Sequence, residues 1–272
     1  MGVAMRFIRV ATLEHCDLQH LTAIWNRCWR GYYYDMTYTV DHMRAWLTLG
    51  QVALQHSVAL MVEETVAGFS LLAVDGQDGW IAGTSIDPDY RRKGLFAPLM
   101  RTQLDLARRL GIKQVYLECL SENHARKVYS SVGFVRLRHL HLYRGMLQEF
   151  RPTTQSLLPV TLSDYFEARR WAGFVPAWQR RESYLRRYPH LLALVNAEGT
   201  AGILAAGEQS TPVLDAWAMT ARGAEEAISH IWRQNGGEVS LTNQPPDLVC
   251  ALLSSKGMRP AAMQYEMRID LG

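Results

Sequence analysis

The chain has 272 residues, of which 48% are hydrophobic and 20% are charged, and its formal net charge is +3. This composition is typical of a globular protein, and the length suits one large domain or two ordinary ones. Because the positive charge is weak, nucleic acid is not expected as a partner unless the charge is concentrated in a patch.

Cysteine spacing and hydropathy exclude further classes of protein. The four cysteines, Cys16, Cys28, Cys119 and Cys250, are scattered without a C-x-x-C pair, so we expect neither a zinc site nor a disulfide framework, and no bound metal. No run approaches the ~20 apolar residues of a membrane span, and the first residues lack the apolar core of a signal peptide. We therefore expect a cytoplasmic protein that does not interact with membranes.

Hydrophobic periodicity predicts the elements of the first half of the chain. Residues 6–10 alternate as a short strand, and Thr12 is expected to cap a helix that reaches Trp29. A second helix begins at Asp41. The elements predicted after it are strands at 58–62, 66–74, 80–86, 114–119 and 133–143, a long helix at 95–110 that stops at Gly111, and a short helix that includes Tyr129.

An aromatic loop separates the first two predicted helices. It contains four tyrosines within seven residues: Tyr32, Tyr33, Tyr34 and Tyr38. Their rings could cover the core between the helices, or they could line a binding pocket, because tyrosine combines a flat apolar wall with a hydroxyl tip. Both interpretations remain open from the sequence.

A strand, a basic turn and a helix follow one another at residues 80–110. The turn contains Arg91, Arg92, Lys93 and Gly94, directly before the predicted helix. The first N–H groups of a helix have no internal partner and carry partial positive charge, so they can bind a phosphate where a glycine lets it approach. Taken alone, this stretch is compatible with an anion site, where a cofactor's phosphates would account for the charge, and equally with a solvated helix start. The sequence downstream of the turn decides between them.

At this point the chain resembles the GNAT superfamily of acetyl-CoA-dependent N-acetyltransferases. The family's acyl-CoA loop reads Arg/Gln-x-x-Gly-x-Gly/Ala, and here it reads Arg91-x-x-Gly94-x-Phe96, so a phenylalanine stands at the last small position. The family's later segment, Asn, a short helix with Ala and Tyr, then Gly-Phe, is matched by Asn123, Ala125, Tyr129, Gly133 and Phe134, with the Asn-to-Ala spacing one residue shorter than usual.

The resemblance implies an α/β (α+β) acyl-CoA N-acyltransferase fold, with a mixed, mostly antiparallel sheet and a splayed central strand pair. Gly83 lies in the strand that carries a bulge in this family, and an internal strand glycine is a common place for one. Acetyl-CoA is the implied cosubstrate. The residues expected to hold it are Ile86, Asp87, Arg91, Arg92, Lys93, Gly94, Leu95, Phe96, Ala97, Asn123 and Tyr129.

The resemblance also suggests catalytic roles. Tyr129 matches the family's catalytic tyrosine, whose phenol can protonate the leaving thiolate. Glu118, late in its strand, is the candidate base, because a partly buried carboxylate can accept a proton from the amine. Alternatives for the base are Asp35, Glu63, Asp87, His139, His141 and ordered water.

The second half repeats the pattern of the first with shorter segments. Residues 151–156 form a polar linker, so we predict a catalytic domain at 1–150 and a degenerate second GNAT-like copy at 151–272. Its predicted elements are helices at 165–171, 180–188, 224–232 and 246–256 and strands at 191–195, 201–206, 213–219, 239–242 and 263–269. The acyl-CoA motif does not recur in it.

The leading hypothesis is transfer of the acetyl group of acetyl-CoA to a primary amine of a small molecule, bound by Tyr32, Tyr33, Tyr34 and Tyr38. A protein N-terminus or lysine as acceptor, and a non-catalytic acyl-CoA-binding sensor, remain alternatives. The arginine pairs at 169–170, 180–181 and 186–187 are the only hint of nucleic acid, and we interpret them as solvated helix faces. A monomer or a homodimer is expected.

Overall fold

Strands and helices alternate along the chain in the computed structural model, which describes residues 7–173, 175–207 and 212–272. The helices are α1 Leu18–Cys28, α2 Val40–Gly50, α3 Phe96–Arg109, α4 Ala125–Ser131, α5 Leu162–Trp171, α6 Glu182–Leu185, α7 Ala221–Gln234 and α8 Leu248–Ser255. The strands are β1 Ile8–Thr12, β2 Val58–Val62, β3 Thr65–Asp75, β4 Asp78–Ile86, β5 Gln114–Leu120, β6 Val135–Met146, β7 Leu158–Pro159, β8 Leu191–Val195, β9 Ala201–Ala206, β10 Val213–Ala218, β11 Glu238–Gln244 and β12 Ala262–Asp270. Short 3-10 turns lie at Leu54–His56, Pro88–Tyr90 and Trp178–Arg180.

The chain divides into two compact units that do not follow the predicted boundary at residue 150. The first unit comprises Met1–Leu117, Asn123–Arg136 and Met267–Gly272, and the second comprises Glu118–Glu122 and Leu137–Glu266. Each unit therefore takes a segment from the other half of the sequence. The division into 1–150 and 151–272, and the descent of the second part from a GNAT copy, stay predictions.

The first unit contains the order β1-β2-β3-β4-β5, with every pair antiparallel except β4 with β5. The parallel register of β4 with β5 starts at Asp78↔Gln114 and ends at Trp80↔Tyr116, so only the first third of β4 is paired on that side. This arrangement agrees with the mixed sheet and the splayed central pair that were expected.

A bulge lies in β4 beside the glycine where one was expected. Leu71 pairs with Gly83 and Leu72 pairs with Ile81, which leaves Ala82 as the extra residue. Gly83 also has a packing role, because a Cβ at this position would lie 2.8 Å from the ring of Trp25. The bulge and the missing side chain together allow α1 to approach the sheet closely.

The start of α1 differs from the prediction. The Asp17 side chain caps it by accepting from the His20 N–H at 2.7 Å, whereas Thr12 is the last residue of β1 and pairs with Val58. Arg6, at the start of the predicted first strand, lies outside the described residues. The buried face of α1 consists of Leu21, Thr22, Ile24, Trp25 and Cys28.

The second unit contains an antiparallel sheet in the order β10-β9-β8-β7 and an antiparallel pair of β11 with β6. The two-residue strand β7 was not predicted. The predicted helix at 180–188 is replaced by the turn Trp178–Arg180 and the short helix α6. Helices α7 and α8 supply much of the core, including Ala224, Ile228, Ile231, Val249 and Leu253.

The interpretation of the arginine pairs as solvated helix faces is wrong for two of the six arginines. Arg169 and Arg180 are only 6% and 2% exposed, respectively, and both contact the buried carboxylate of Asp215. Tyr165 donates to the same carboxylate at 2.9 Å. These side chains form an internal ion network, so they contribute nothing to a surface that could bind nucleic acid.

No helix in the described ranges is long and apolar enough to cross a bilayer.

Candidate active site

The turn between β4 and α3 has the backbone of an anion-binding nest. Arg92 and Gly94 are both left-handed, with φ of 62° and 73°, while Leu95 is right-handed. No amide hydrogen from Arg92 to Ala97 has a hydrogen-bond acceptor within the described part of the chain, and no side chain caps α3. Successive unpartnered N–H groups at a helix start bind phosphate oxygens, so the turn fits the diphosphate of acetyl-CoA.

The side chain of Arg91 holds the turn in place. Its Nε donates to the Ile86 carbonyl at 2.9 Å, and its Nη2 donates to the Cys28 carbonyl at 2.8 Å. The guanidinium thereby ties the C-terminal end of α1 to the end of β4. Because its donors already serve these carbonyls, we expect Arg91 to shape the phosphate loop more than to contact the phosphates.

Asp87 is likewise engaged within the protein. Its carboxylate accepts from Arg27 Nε at 2.6 Å and from the Asp89 N–H at 3.1 Å, and the residue is 2% exposed. Arg30 Nη2 lies 3.5 Å from the same carboxylate. Because the carboxylate oxygens of Asp87 already accept these bonds inside the protein, Asp87 is a poor candidate for the base.

The remaining basic side chains of the turn are exposed. Lys93 Nζ donates to the Asp89 carbonyl at 2.7 Å and lies 5.0 Å from the centre of the Tyr90 ring. Arg92 makes no ion pair or side-chain hydrogen bond within the described residues. Arg92 is thus the cation of this turn that is most available to a bound phosphate.

Tyr129, the candidate acid, is brought to the same turn. It is 7% exposed, and its ring lies 5.3 Å from the ring of Phe96, the first residue of α3, at an interplanar angle of 76°. Phe134 packs on Tyr129 at 5.9 Å. Phe96, which departs from the family's small residue, is therefore a packing partner of the candidate catalytic tyrosine.

Asn123 organises the start of α4. Its Oδ1 accepts from the Ala125 N–H at 2.9 Å, and its carbonyl accepts from the Arg126 N–H at 3.3 Å. This local bond orients the helix that carries Tyr129. The Nδ2 donor of Asn123 has no partner among the described residues, which leaves it available to a ligand.

The candidate bases are dispersed. Glu118 is half-buried on β5 and belongs to the second unit. Glu63 is exposed in the turn after β2. His141 Nδ1 lies 3.3 Å from Cys250 Sγ, and the ring of His139 lies 4.7 Å from the ring of Tyr265. Burial lowers the pKa of His141, so its imidazole is neutral at physiological pH.

The aromatic loop is fixed to α1 by three hydrogen bonds. Trp25 Nε1 donates to the Met36 carbonyl at 2.7 Å, and Asn26 exchanges two bonds with the backbone of Tyr38, at 2.8 and 2.9 Å. Tyr38 stacks on Trp25 with ring centres 5.0 Å apart, so it is part of the core packing. Tyr33 and Tyr34 are half-exposed, at 50% and 48%.

A cavity of about 300 Å³ lies within this loop and the end of α1. Its lining residues are Asn26, Trp29, Arg30, Gly31, Tyr32, Tyr33, Tyr34, Asp35, Met36 and Thr37. Three of the four predicted pocket tyrosines therefore line a cavity, and Tyr38 does not. Sequence reasoning missed the contribution of α1. The signal was present in the spacing of Asn26, Trp29 and Arg30, because positions i, i+3 and i+4 lie on one side of a helical turn, although α1 itself ends at Cys28.

A family model, described as the acetyltransferase (GNAT) family, matches residues 18–134. The matched stretch includes the aromatic loop, the nest and Tyr129. Comparison with curated proteins finds no match.

Solved structures share the fold over nearly the whole chain. A putative acetyltransferase from Pyrococcus horikoshii superposes with a TM-score of 0.67 at 15% identity, covering 99% of this chain and 91% of that one. A GCN5-related N-acetyltransferase from Anabaena variabilis gives 0.65 at 15% identity, covering 98% and 73%. A GCN5-related N-acetyltransferase from Sphaerobacter thermophilus superposes with a TM-score of 0.62 at 12% identity, covering 97% of this chain and 96% of that one. At these identities the likeness concerns the fold.

Proposed function

We propose that this chain, whose residues 18–134 form an acetyltransferase domain of the GNAT family, transfers the acetyl group of acetyl-CoA to a primary amine of a small molecule. The observation that carries the proposal is the turn from Arg92 to Ala97, whose unpartnered amides lie beside the buried Tyr129. A phosphate site and a candidate proton donor next to each other suit a reaction that releases the thiol of CoA.

Acetyl-CoA would supply an activated thioester, and its diphosphate would bind the amides of residues 92–97, with Arg92 adding charge. Asn123 Nδ2 is available as a further donor to the cosubstrate. The carbonyl oxygen of the thioester becomes more negative during attack, so a backbone N–H near Ile86, at the end of the bulged strand, is suited to stabilise it. Holding both substrates together supplies much of the remaining acceleration.

The reaction needs two proton movements. An amine attacks only as the neutral base, so a group must accept its proton, and we assign this role to Glu118 or to water that Glu118 orients. The departing thiolate needs a proton or a hydrogen bond, which the Tyr129 phenol is suited to donate. Direct attack in a ternary complex requires no covalent intermediate on the protein.

The proposal is tested by measuring thiol release from acetyl-CoA across a panel of amines with wild type and Tyr129→Phe. Loss of a general acid typically lowers the rate by about 100-fold or more, and we expect kcat to fall by this order. The affinity for CoA, measured by calorimetry, should change little because Phe96 and Phe134 still pack on the ring. Tyr188→Phe, a half-buried tyrosine of the second unit, is the matched control and should keep full activity.

Two results would contradict the proposal. If wild type binds CoA but acetylates no small amine, while it acetylates a peptide N-terminus or lysine, the acceptor is a protein. If it binds CoA and transfers nothing to either class, the chain is an acyl-CoA sensor. We place the enzyme in the cytoplasm as a monomer or homodimer, and apart from Glu118 we assign no role in the reaction to the second unit.

A further inference from the structure

The hydrogen-bonding side chains that line the cavity of the aromatic loop differ in whether they already have partners in the protein. The amide of Asn26 and the guanidinium of Arg30 are already engaged inside the protein, whereas the indole N–H of Trp29 is not. Asn26 Nδ2 donates to the Tyr38 carbonyl at 2.9 Å, and the buried Nε1 of Trp29 has no hydrogen-bond partner among the described residues. The guanidinium of Arg30 donates to the Arg27 carbonyl at 3.2 Å and lies 3.5 Å from both Asp87 and Asp89.

Asp35 is the one carboxylate among the residues that line the cavity, and unlike Arg30 it has no partner of opposite charge in the described part of the chain. Asp35 Oδ1 accepts from the Thr37 N–H at 2.9 Å, but no cationic side chain of the described residues forms an ion pair with it. Hydrogen bonds from the Thr37 side chain and backbone lower the pKa of the Asp35 carboxyl, so it stays negatively charged at any physiological pH. Since Arg30 is paired and Asp35 is not, the cavity favours a cation.

The aromatic lining suits the same kind of ligand. The centre of the Tyr32 ring lies 4.5 Å from that of Trp29 and 5.3 Å from that of Tyr33, both in edge-on arrangements. The Tyr34 ring centre lies 6.5 Å from that of Tyr32. Aromatic rings attract cations through their negative faces, and alkylammonium groups are bound by clusters of such rings.

The cavity is also separate from the groups that we assign to acyl transfer. Its lining runs from Asn26 to Thr37 and includes neither Tyr129 nor any residue of the turn 91–97. It nevertheless borders that turn, because Arg91 Nη2 lies 3.4 Å from the carbonyl of Arg30. A group held in the cavity is therefore near the acetyl site without being the nitrogen that is acetylated.

We propose that this cavity is a subsite for a second, non-reacting ammonium group of the acceptor, so that the substrate class is an amine with at least two cationic nitrogens. This inference rests on the proposed function for its catalytic consequence, but not for the binding of a cation. Asp35 supplies the charge, and Trp29, Tyr32, Tyr33 and Tyr34 supply the aromatic wall.

Binding of a cation is tested without acetyl-CoA. Saturation-transfer NMR with tetramethylammonium chloride is applied to the full chain as wild type, Asp35→Asn and Asp41→Asn. Asp41 is another exposed carboxylate, at the start of α2, that pairs with Arg44, so Asp41→Asn makes the same charge change outside the cavity. We expect wild type and Asp41→Asn to bind the probe alike and Asp35→Asn to bind about tenfold more weakly. Equal binding by all three proteins would overturn the proposal.

The catalytic consequence is tested by comparing kcat/KM for diaminobutane with that for butylamine. We expect wild type to prefer the diamine by about tenfold, and Asp35→Asn to lose most of that preference, because only the diamine has a second charge. Equal values in wild type would refute a second cationic group. If no amine is acetylated but tetramethylammonium binding depends on Asp35, the subsite stands and the proposed function fails. If butylamine is the better substrate, the function stands and the subsite fails.

Discussion

Gly94 and Gly111 have almost the same backbone conformation but lie in different surroundings. Substituting each of them by alanine therefore separates an effect on the phosphate site from an effect on stability. Their φ angles are 73° and 77°, and an added Cβ would meet nothing within 4 Å at either position. A left-handed alanine costs about 1–2 kcal/mol, so Gly94→Ala and Gly111→Ala should destabilise the fold by similar amounts. Gly94 lies among the open amides of the nest, whereas Gly111 follows the end of α3.

We therefore expect Gly94→Ala to weaken CoA binding by about tenfold, because its methyl group obstructs the approach of a phosphate to the backbone. Gly111→Ala should bind CoA as wild type does. Calorimetric titration with CoA gives the affinities, and urea unfolding verifies that stability falls equally. Unchanged affinity in Gly94→Ala would show that the phosphates bind elsewhere.

The hydrogen-bond partners of single residues could not be predicted from the sequence. The motif grouped Arg91, Gly94 and Tyr129 as one predicted site, and in the structure Tyr129 packs on Phe96 beside the turn that contains Arg91 and Gly94. It could not show that the Arg91 guanidinium bonds the carbonyls of Cys28 and Ile86, because a loop arginine is compatible with either a ligand or a structural partner. The buried Asp87 is a similar case, since its partner Arg27 lies 60 residues earlier in the sequence. Contacts between distant segments depend on the fold and are not encoded in local spacing.

At the scale of elements, the buried ion network makes Arg180 a link between strands of the second unit. Its guanidinium donates to Asp215 and the Ala216 carbonyl on β10, and to Gln244 Oε1 on β11 at 2.6 Å. Removal of one partner leaves the Asp215 carboxylate buried with fewer donors. Breaking a buried pair in this way typically costs about 3–5 kcal/mol.

Arg180→Ala should accordingly lower the free energy of unfolding by about 3–5 kcal/mol. The neighbouring Arg181 lies 4.4 Å from the centre of the Trp178 ring and is half-buried, so Arg181→Ala should cost about 1 kcal/mol or less. Urea denaturation of both variants measures the difference. Similar losses would mean that the network contributes no more than a surface contact.

The elements themselves were mostly predictable. The turn that joins β3 to β4 and the glycine after α3 define local backbone states, and short apolar runs bounded by turn residues identified β2, β3 and β4. The start of α1 was misplaced because Thr12 and Asp17 are both good caps, and the choice depends on pairing of Thr12 with β2. The burial of Arg169 and Arg180 was missed because charge runs give no indication of a buried partner.

At the scale of the molecule, the first unit depends on the C-terminal residues. Leu271 N–H donates to the Lys113 carbonyl at 2.7 Å, and Lys113 Nζ donates to the Gly272 carbonyl at 3.0 Å. Ile269 is 8% exposed and packs on Gly133, where an added Cβ would lie 2.9 Å from its side chain. The motif glycine before Phe134 is therefore covered by a residue from the other end of the sequence.

A chain cut after residue 150 should not form a stable first unit, although sequence reasoning assigns the catalytic domain to 1–150. The cut removes Met267–Gly272 and leaves residues 137–150 without the rest of their own unit. A synthetic peptide of residues 262–272 should partly restore the fold in trans, because it returns Ile269 and Leu271 to their contacts. Tryptophan fluorescence and urea unfolding of the fragment, with the peptide and with a scrambled peptide of the same composition, measure this. A fragment that unfolds cooperatively without the peptide would show that these contacts are dispensable, and the boundary at residue 150 would then describe an independent domain.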